Sequence, residues 1–108
     1  MTEEEIKNLG KGKRTIAFLL DARSHISEAG EGICQDLIAV FKDYIDHNEL
    51  ELALDMLDEI VAESGLERPQ MIELMAKAAL SMGLFQRAQK YDEYLSQYRG
   101  WEYHTKID

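Results

Sequence analysis

Few residues in this chain could do chemistry, and their spacing argues against a catalytic centre. Gly10-Lys11-Gly12-Lys13-Arg14-Thr15 has the flavour of a phosphate-binding loop. That loop wraps phosphates in backbone amides between a first Gly and a later Gly-Lys-Ser/Thr. Here the two glycines stand too close together, Arg14 occupies the position where Ser or Thr must hold magnesium, and no apolar strand precedes. The histidines are His25, His47 and His104, none with a second ligand at metal spacing. Cys34 is alone, which rules out an internal disulfide and fits a reducing compartment. With a His and an acid it could make a nucleophilic set. It lies beside the apolar stripe of a helix, however, where an inert packed thiol is expected. Carboxylates are abundant, but nothing marks two of them as buried or as flanking a cleft. No enzyme, cofactor or metal site is therefore expected.

What the acids do show is segregation. Against a formal net charge of −9, the window from Asp43 to Glu63 alone carries Asp43, Asp46, Glu49, Glu51, Asp55, Asp58, Glu59 and Glu63, with no Lys or Arg. A solvated helix ordinarily gains from Glu–Lys pairs four residues apart. This segment forgoes that gain and keeps like charges together, which points to a basic protein partner as well as to solubility. The same charge repels nucleic acid and anionic membranes. Arg87, Lys90, Tyr91, Tyr94, Tyr98, Arg99 and Trp101 mix bases with aromatics near the C-terminus in a pattern that can stack on nucleic acid. Asp92, Glu93 and Glu102 oppose that use, and a partly buried aromatic face is the better account. Glu51, Asp55, Asp58 and Glu59 are the expected electrostatic contacts to a partner. Trp101 and Tyr103 are candidate aromatic anchors, although tail aromatics can equally pack on their own core.

The elements that must position these residues are helical. At 108 residues the chain is one domain's worth, residues 1–108. Leu, Ala, Glu, Met, Lys and Gln are plentiful, Val is scarce and Pro69 is the one proline, so composition favours helix over strand. Thr2 and the acids after it form a helix start. A second run spans about Arg14 to Ile26, and the N-terminal segment is one helix or two. Ser27 to Gly32 reads as a turn. Ile33, Leu37, Val40, Phe41, Tyr44 and Ile45 recur at helical spacing and predict a core-facing helix to His47. The next helix runs from Glu49 to Ser64 and buries Leu50, Ala53, Leu54, Leu57, Ile60 and Val61. Pro69 opens another, to about Met82. The last spans about Phe85 to Tyr98, with Ala88, Tyr91, Leu95 and Tyr98 inward. Ile16 to Leu20 is the longest apolar stretch, too short for a signal peptide or a membrane span. A cytoplasmic protein starting near Met1 is expected.

Asn48, Leu50, Ala53 and Ile60 align with Gly83, Phe85, Ala88 and Leu95 at a constant offset. Each set sits at the joint of two helices, and the period is close to that of tetratricopeptide repeats. The expected architecture is all-α, with about five helices forming two stacked antiparallel helical hairpins, tetratricopeptide-like, behind an N-terminal helix or helices.

Tyr44-Ile45-Asp46-His47-Asn48-Glu49-Leu50-Glu51-Leu52-Ala53-Leu54-Asp55-Met56-Leu57 resembles the central motif of MafI-like immunity proteins of bacterial polymorphic toxin systems. In those proteins an apolar helix end leads into an Asn-or-Gly/Glu pair and on to Ala-Leu. Glu73-Leu74-Met75-Ala76-Lys77-Ala78-Ala79-Leu80-Ser81-Met82-Gly83-Leu84 resembles the hairpin that follows. The likeness covers about residues 37–84. It implies a small cytoplasmic protein that binds and neutralises a cognate toxin, often a nuclease, by occlusion. Asn48, Glu49 and Ala53 match the motif, in a role read as structural. The competing reading is a helical adaptor or chaperone for another protein. Neither reading fixes the oligomeric state.

Overall fold

The computed structural model describes residues 11–65 and 68–98. They form six helices and no strand: α1 Lys11–Arg23, α2 Glu28–Ile33, α3 Gln35–Asp46, α4 Leu50–Ser64, α5 Pro69–Ser81 and α6 Phe85–Leu95. The all-α expectation holds, and so do the two hairpins, α3–α4 and α5–α6. The turn expected from Ser27 to Gly32 is corrected by α2. Its six residues occupy the span read as a turn, because the Ser27 hydroxyl accepts the Gly30 N–H at 3.0 Å and caps a turn rich enough in Glu to suit a helix start. Lys11 to Thr15 lie within a helix rather than a phosphate loop. Thr15 is buried there, its hydroxyl sharing a 2.7 Å hydrogen bond with that of Ser81. The expected helix start at Thr2 falls outside the described residues.

Packing centres on α5. Met71, Ile72, Met75, Ala76, Ala78 and Ala79 are all buried on this one helix. Three of these are alanines, so α1 and α6 can both approach its backbone closely, and these are the two most extensive contacts of α5. From α1 come Leu19 and Ala22; from α6, Ala88 and Leu95; from α4, Leu54, Leu57 and Ile60. The α4 helix meets α5 and α1 more lightly, and α3 packs chiefly on α4 with a minor contact to α2. So α3 is the outermost helix of the first hairpin.

The periodicity of α3 needs a correction. Phe41 is buried and Ile38 and Ile45 pack against the core, but Ile33 is 65% exposed and Val40 39%. The apolar arc is wider than the contact it makes. Cys34, Ile38, Phe41 and Ile45 turn inward, while Ile33, Leu37, Val40 and Tyr44 form an adjoining stripe that α4 only partly covers.

The joints of the two hairpins are the same structure repeated. Asn48 and Gly83 are both left-handed, with φ of 58° and 78°. The next residues, Glu49 and Leu84, have φ/ψ of −93°/71° and −88°/67°. In the first joint the Glu49 N–H bonds the Tyr44 carbonyl at 2.8 Å and the Asn48 N–H bonds that of Ile45; in the second, Leu84 bonds Ala79 at 2.9 Å and Gly83 bonds Leu80. Each is a Schellman motif, which satisfies the last carbonyls of one helix while turning the chain into the next. Ala53 and Ala88, the small residues after each joint, are buried. The sequence offset thus marks a repeated backbone unit.

A left-handed residue strains any side chain that cannot hydrogen-bond locally, and Asn is among the least strained after Gly. Asn48→Ala should lower unfolding free energy by about 1 kcal/mol, whereas Asn48→Gly should be neutral or slightly stabilising. Urea denaturation of the two variants checks this.

Candidate protein-binding surface

The four acids expected on one face of α4 border two different neighbours. Glu51, Asp55 and Asp58 follow one another at four- and three-residue spacing and lean toward α6. Glu59, about forty degrees round the helix from Asp55, borders the cavity toward α3 with Glu63.

Two members of the first group are bound internally. The Arg87 guanidinium, from the first turn of α6, donates from Nη1 to Asp55 Oδ1 at 2.6 Å and from Nη2 to Asp58 Oδ2 at 2.5 Å. Its Nε donates to the Tyr91 hydroxyl at 3.2 Å, and that hydroxyl donates to Asp58 Oδ1 at 2.6 Å. Arg87 and Tyr91 are four apart and so lie on one face of α6. Burial works against the charge on Arg87, but the hydrogen bonds to Tyr91 and Asp58 and the Asp58 charge outweigh it and keep the group protonated. Burial, followed by the Asp58 charge, pushes the Tyr91 phenol well above its ordinary range, so it remains a donor. Sequence reasoning missed this clasp. Its only local signal was an Arg-Tyr pair at helical spacing, and the partners lie 29 and 33 residues away.

Glu51 and Glu59 are exposed and form no salt bridge with a described residue. Elsewhere on the hairpin, Lys42 pairs with Asp46 at 3.0 Å. The His47 ring, at the C-terminal end of α3, meets the Asp43 carbonyl at 2.8 Å. That hydrogen bond, then the Asp43 carboxylate, raises the pKa of His47. Trp101 and Tyr103 fall outside the described residues.

Two open cavities flank α4. One, of about 640 Å³, lies between the starts of α4 and α6 and mixes Glu51, Asp58, Arg87 and Lys90 with Phe85 and Tyr91. Phe85 is 48% exposed at its edge. The other, of about 470 Å³, lies between the start of α3 and the end of α4, with Ile33, Leu37 and Ala62 among the acids Asp36, Glu59 and Glu63. Cys34 sits at its base. Burial, then the Glu63 charge, raises its pKa, and its Sγ faces the Ile60 carbonyl at 3.8 Å. A protonated thiol held this way is a packed side chain, not a nucleophile.

A carboxylate also lies in the core: Asp92 is 2% exposed, between Ala88 and Leu95 on the inward face of α6. The spacing of its neighbours placed it on that face, and the sequence reading treated it as a surface acid. Among the described residues no group of three His, Cys, Asp or Glu is placed to hold a metal ion, and no helix is long and apolar enough to cross a membrane.

Compared with known proteins, the chain matches no family model, no curated protein and no solved structure.

The Arg87 clasp is half-exposed at both carboxylates, so its value lies above a surface pair and below a buried one. Arg87→Ala leaves Asp55 and Asp58 facing each other without a cation and should cost about 1–2 kcal/mol in chemical denaturation. Arg87→Lys should recover less than half of that, because one ammonium cannot fork to two carboxylates and a phenol.

Proposed function

We propose that this protein is an immunity protein, which binds a basic toxin domain, of nuclease type, and neutralises it by occlusion without turnover. The observation that carries the reading is the charge of the α3–α4 hairpin. Its acids far outnumber its bases, Arg87 compensates only Asp55 and Asp58, and Glu51 and Glu59 stand exposed. A nuclease must present a basic groove to its substrate, and an acidic hairpin is complementary to such a groove in charge and accelerates capture. The resemblance of residues 37–84 to MafI-like immunity proteins points the same way. A cytoplasmic location, where such a toxin would do its damage, belongs to this proposal.

A second reading, a helical adaptor holding a peptide or another protein, draws on the mixed-polarity cavity beside Phe85 and on the repeated hairpin joint. It places the partner between α4 and α6 rather than across the acidic hairpin.

The clasp dictates the choice of variant. Reversing Asp55 or Asp58 would break an internal interaction, whereas Glu51→Lys/Glu59→Lys alters exposed charge alone. Affinity capture from the native cells with the tagged chain should recover a basic toxin domain in stoichiometric amount. The double variant should keep its helical circular dichroism and bind that domain at least tenfold more weakly. Undiminished binding, or recovery of a chaperone client in place of a toxin, rejects the immunity reading.

A further inference from the structure

We infer that the groove between the start of α3 and the end of α4 receives a basic amphipathic helix from the partner. The inference rests on the proposed function and names the element of the partner that is held. Its floor is apolar. Ile33, the last residue of α2, is 65% exposed, Leu37 on α3 is half-buried, and Val40, 39% exposed, extends the stripe along α3. On α4 the end of the helix faces them with Ala62, Glu59 and Glu63; nearer the hairpin joint, the same side of α4 carries half-buried Met56 and Leu52, which is 42% exposed. A helix normally buries such a stripe, and nothing in the described fold covers this one, since α3 packs on α4 and the short α2.

The rim selects the occupant. Asp36 on α3 and Glu59 and Glu63 on α4 stand on both sides of the apolar floor, and among the described residues no Lys or Arg lines the cavity. Two antiparallel helices offer a trough into which the ridge of a third can lie. An occupant with apolar residues at three- and four-residue spacing and Lys or Arg on its flanks meets floor and rim together. A nucleic acid is excluded by the rim. A second copy of this chain is disfavoured, because a two-fold interface on this groove would set Asp36, Glu59 and Glu63 against their own equivalents. The groove is also separate from the Arg87 clasp, so it can be altered without disturbing that internal interaction.

The test uses the full chain and two synthetic 18-residue peptides with the same Leu face, one flanked by Lys and one by Glu. Titration followed by amide NMR should show the Lys peptide binding, with shifts concentrated at residues 33–40 and 56–63, and the Glu peptide failing to bind. Ile33→Ser and Glu59→Lys/Glu63→Lys should each weaken the Lys peptide at least tenfold while leaving the spectrum folded. Equal binding of both peptides, shifts spread over α1 and α6, or indifference to the variants overturns the inference. So does a concentration-dependent dimer in sedimentation that Ile33→Ser abolishes, which would assign the stripe to a second copy. The two proposals fail separately. A captured toxin domain whose binding ignores Ile33→Ser but responds to Glu51→Lys keeps the immunity reading and removes the groove. A Lys peptide seated in the groove, with no toxin captured, does the reverse.

Discussion

One guanidinium shared between two carboxylates decides what the acidic hairpin is free to do. The backbone contact of α4 with the second hairpin is light, and Arg87 spans the remaining distance with hydrogen bonds to Asp55, Asp58 and Tyr91. The clasp draws two negative charges into the fold and holds α6 beside α4. It also divides the acids into those that stabilise and those that remain outward. Without it, like charges three residues apart on one helix would repel, and the two hairpins would be tied only through α5 and α1.

The hairpins themselves arise from local chemistry. Each Schellman joint fixes the angle between its helices through one left-handed residue, and a buried alanine one turn later lets the helices approach. The alanine-rich α5 then accepts α1 on one side and α6 on another. With those places filled, α3 packs mainly on α4 and α2 among the described residues, and its apolar arc is wider than they cover. Exposure of Ile33 and Val40 is therefore a consequence of how α5 is used, and it leaves a sticky stripe bordered by acids. Groove and charge belong to the same hairpin, which is where the proposed function places the partner.

Much of this was legible in the residues. Helical periodicity located α3 to α5 within two residues and the end of α6 within three, because long amphipathic helices with Gly or Asn stops leave strong local signals. The offset linking Asn48 to Gly83 foretold two equivalent joints, and the structure gives both the same left-handed backbone. Where sequence reasoning failed, the cause was tertiary or very local. Glycines at 30 and 32 read as a turn, yet Ser27 caps a short helix through them. The stripe of α3 was assigned wholly to the core, since periodicity gives a face but not the width of the neighbour that covers it. The pairing of Asp55 and Asp58 with Arg87 went unseen, because nothing near either acid in the chain announces it. Asp92 shows the same limit in reverse, a charge carried inward by the spacing of Ala88 and Leu95.

The central claim is that the α3–α4 hairpin is the surface that meets a protein partner. Hydrogen–deuterium exchange of the full chain, with and without its captured partner, tests it most directly. The account predicts slowed exchange across residues 33–63, with α1 and α5 unchanged. Protection confined to α1, α5 and α6, with the hairpin exchanging as in the free protein, would contradict it.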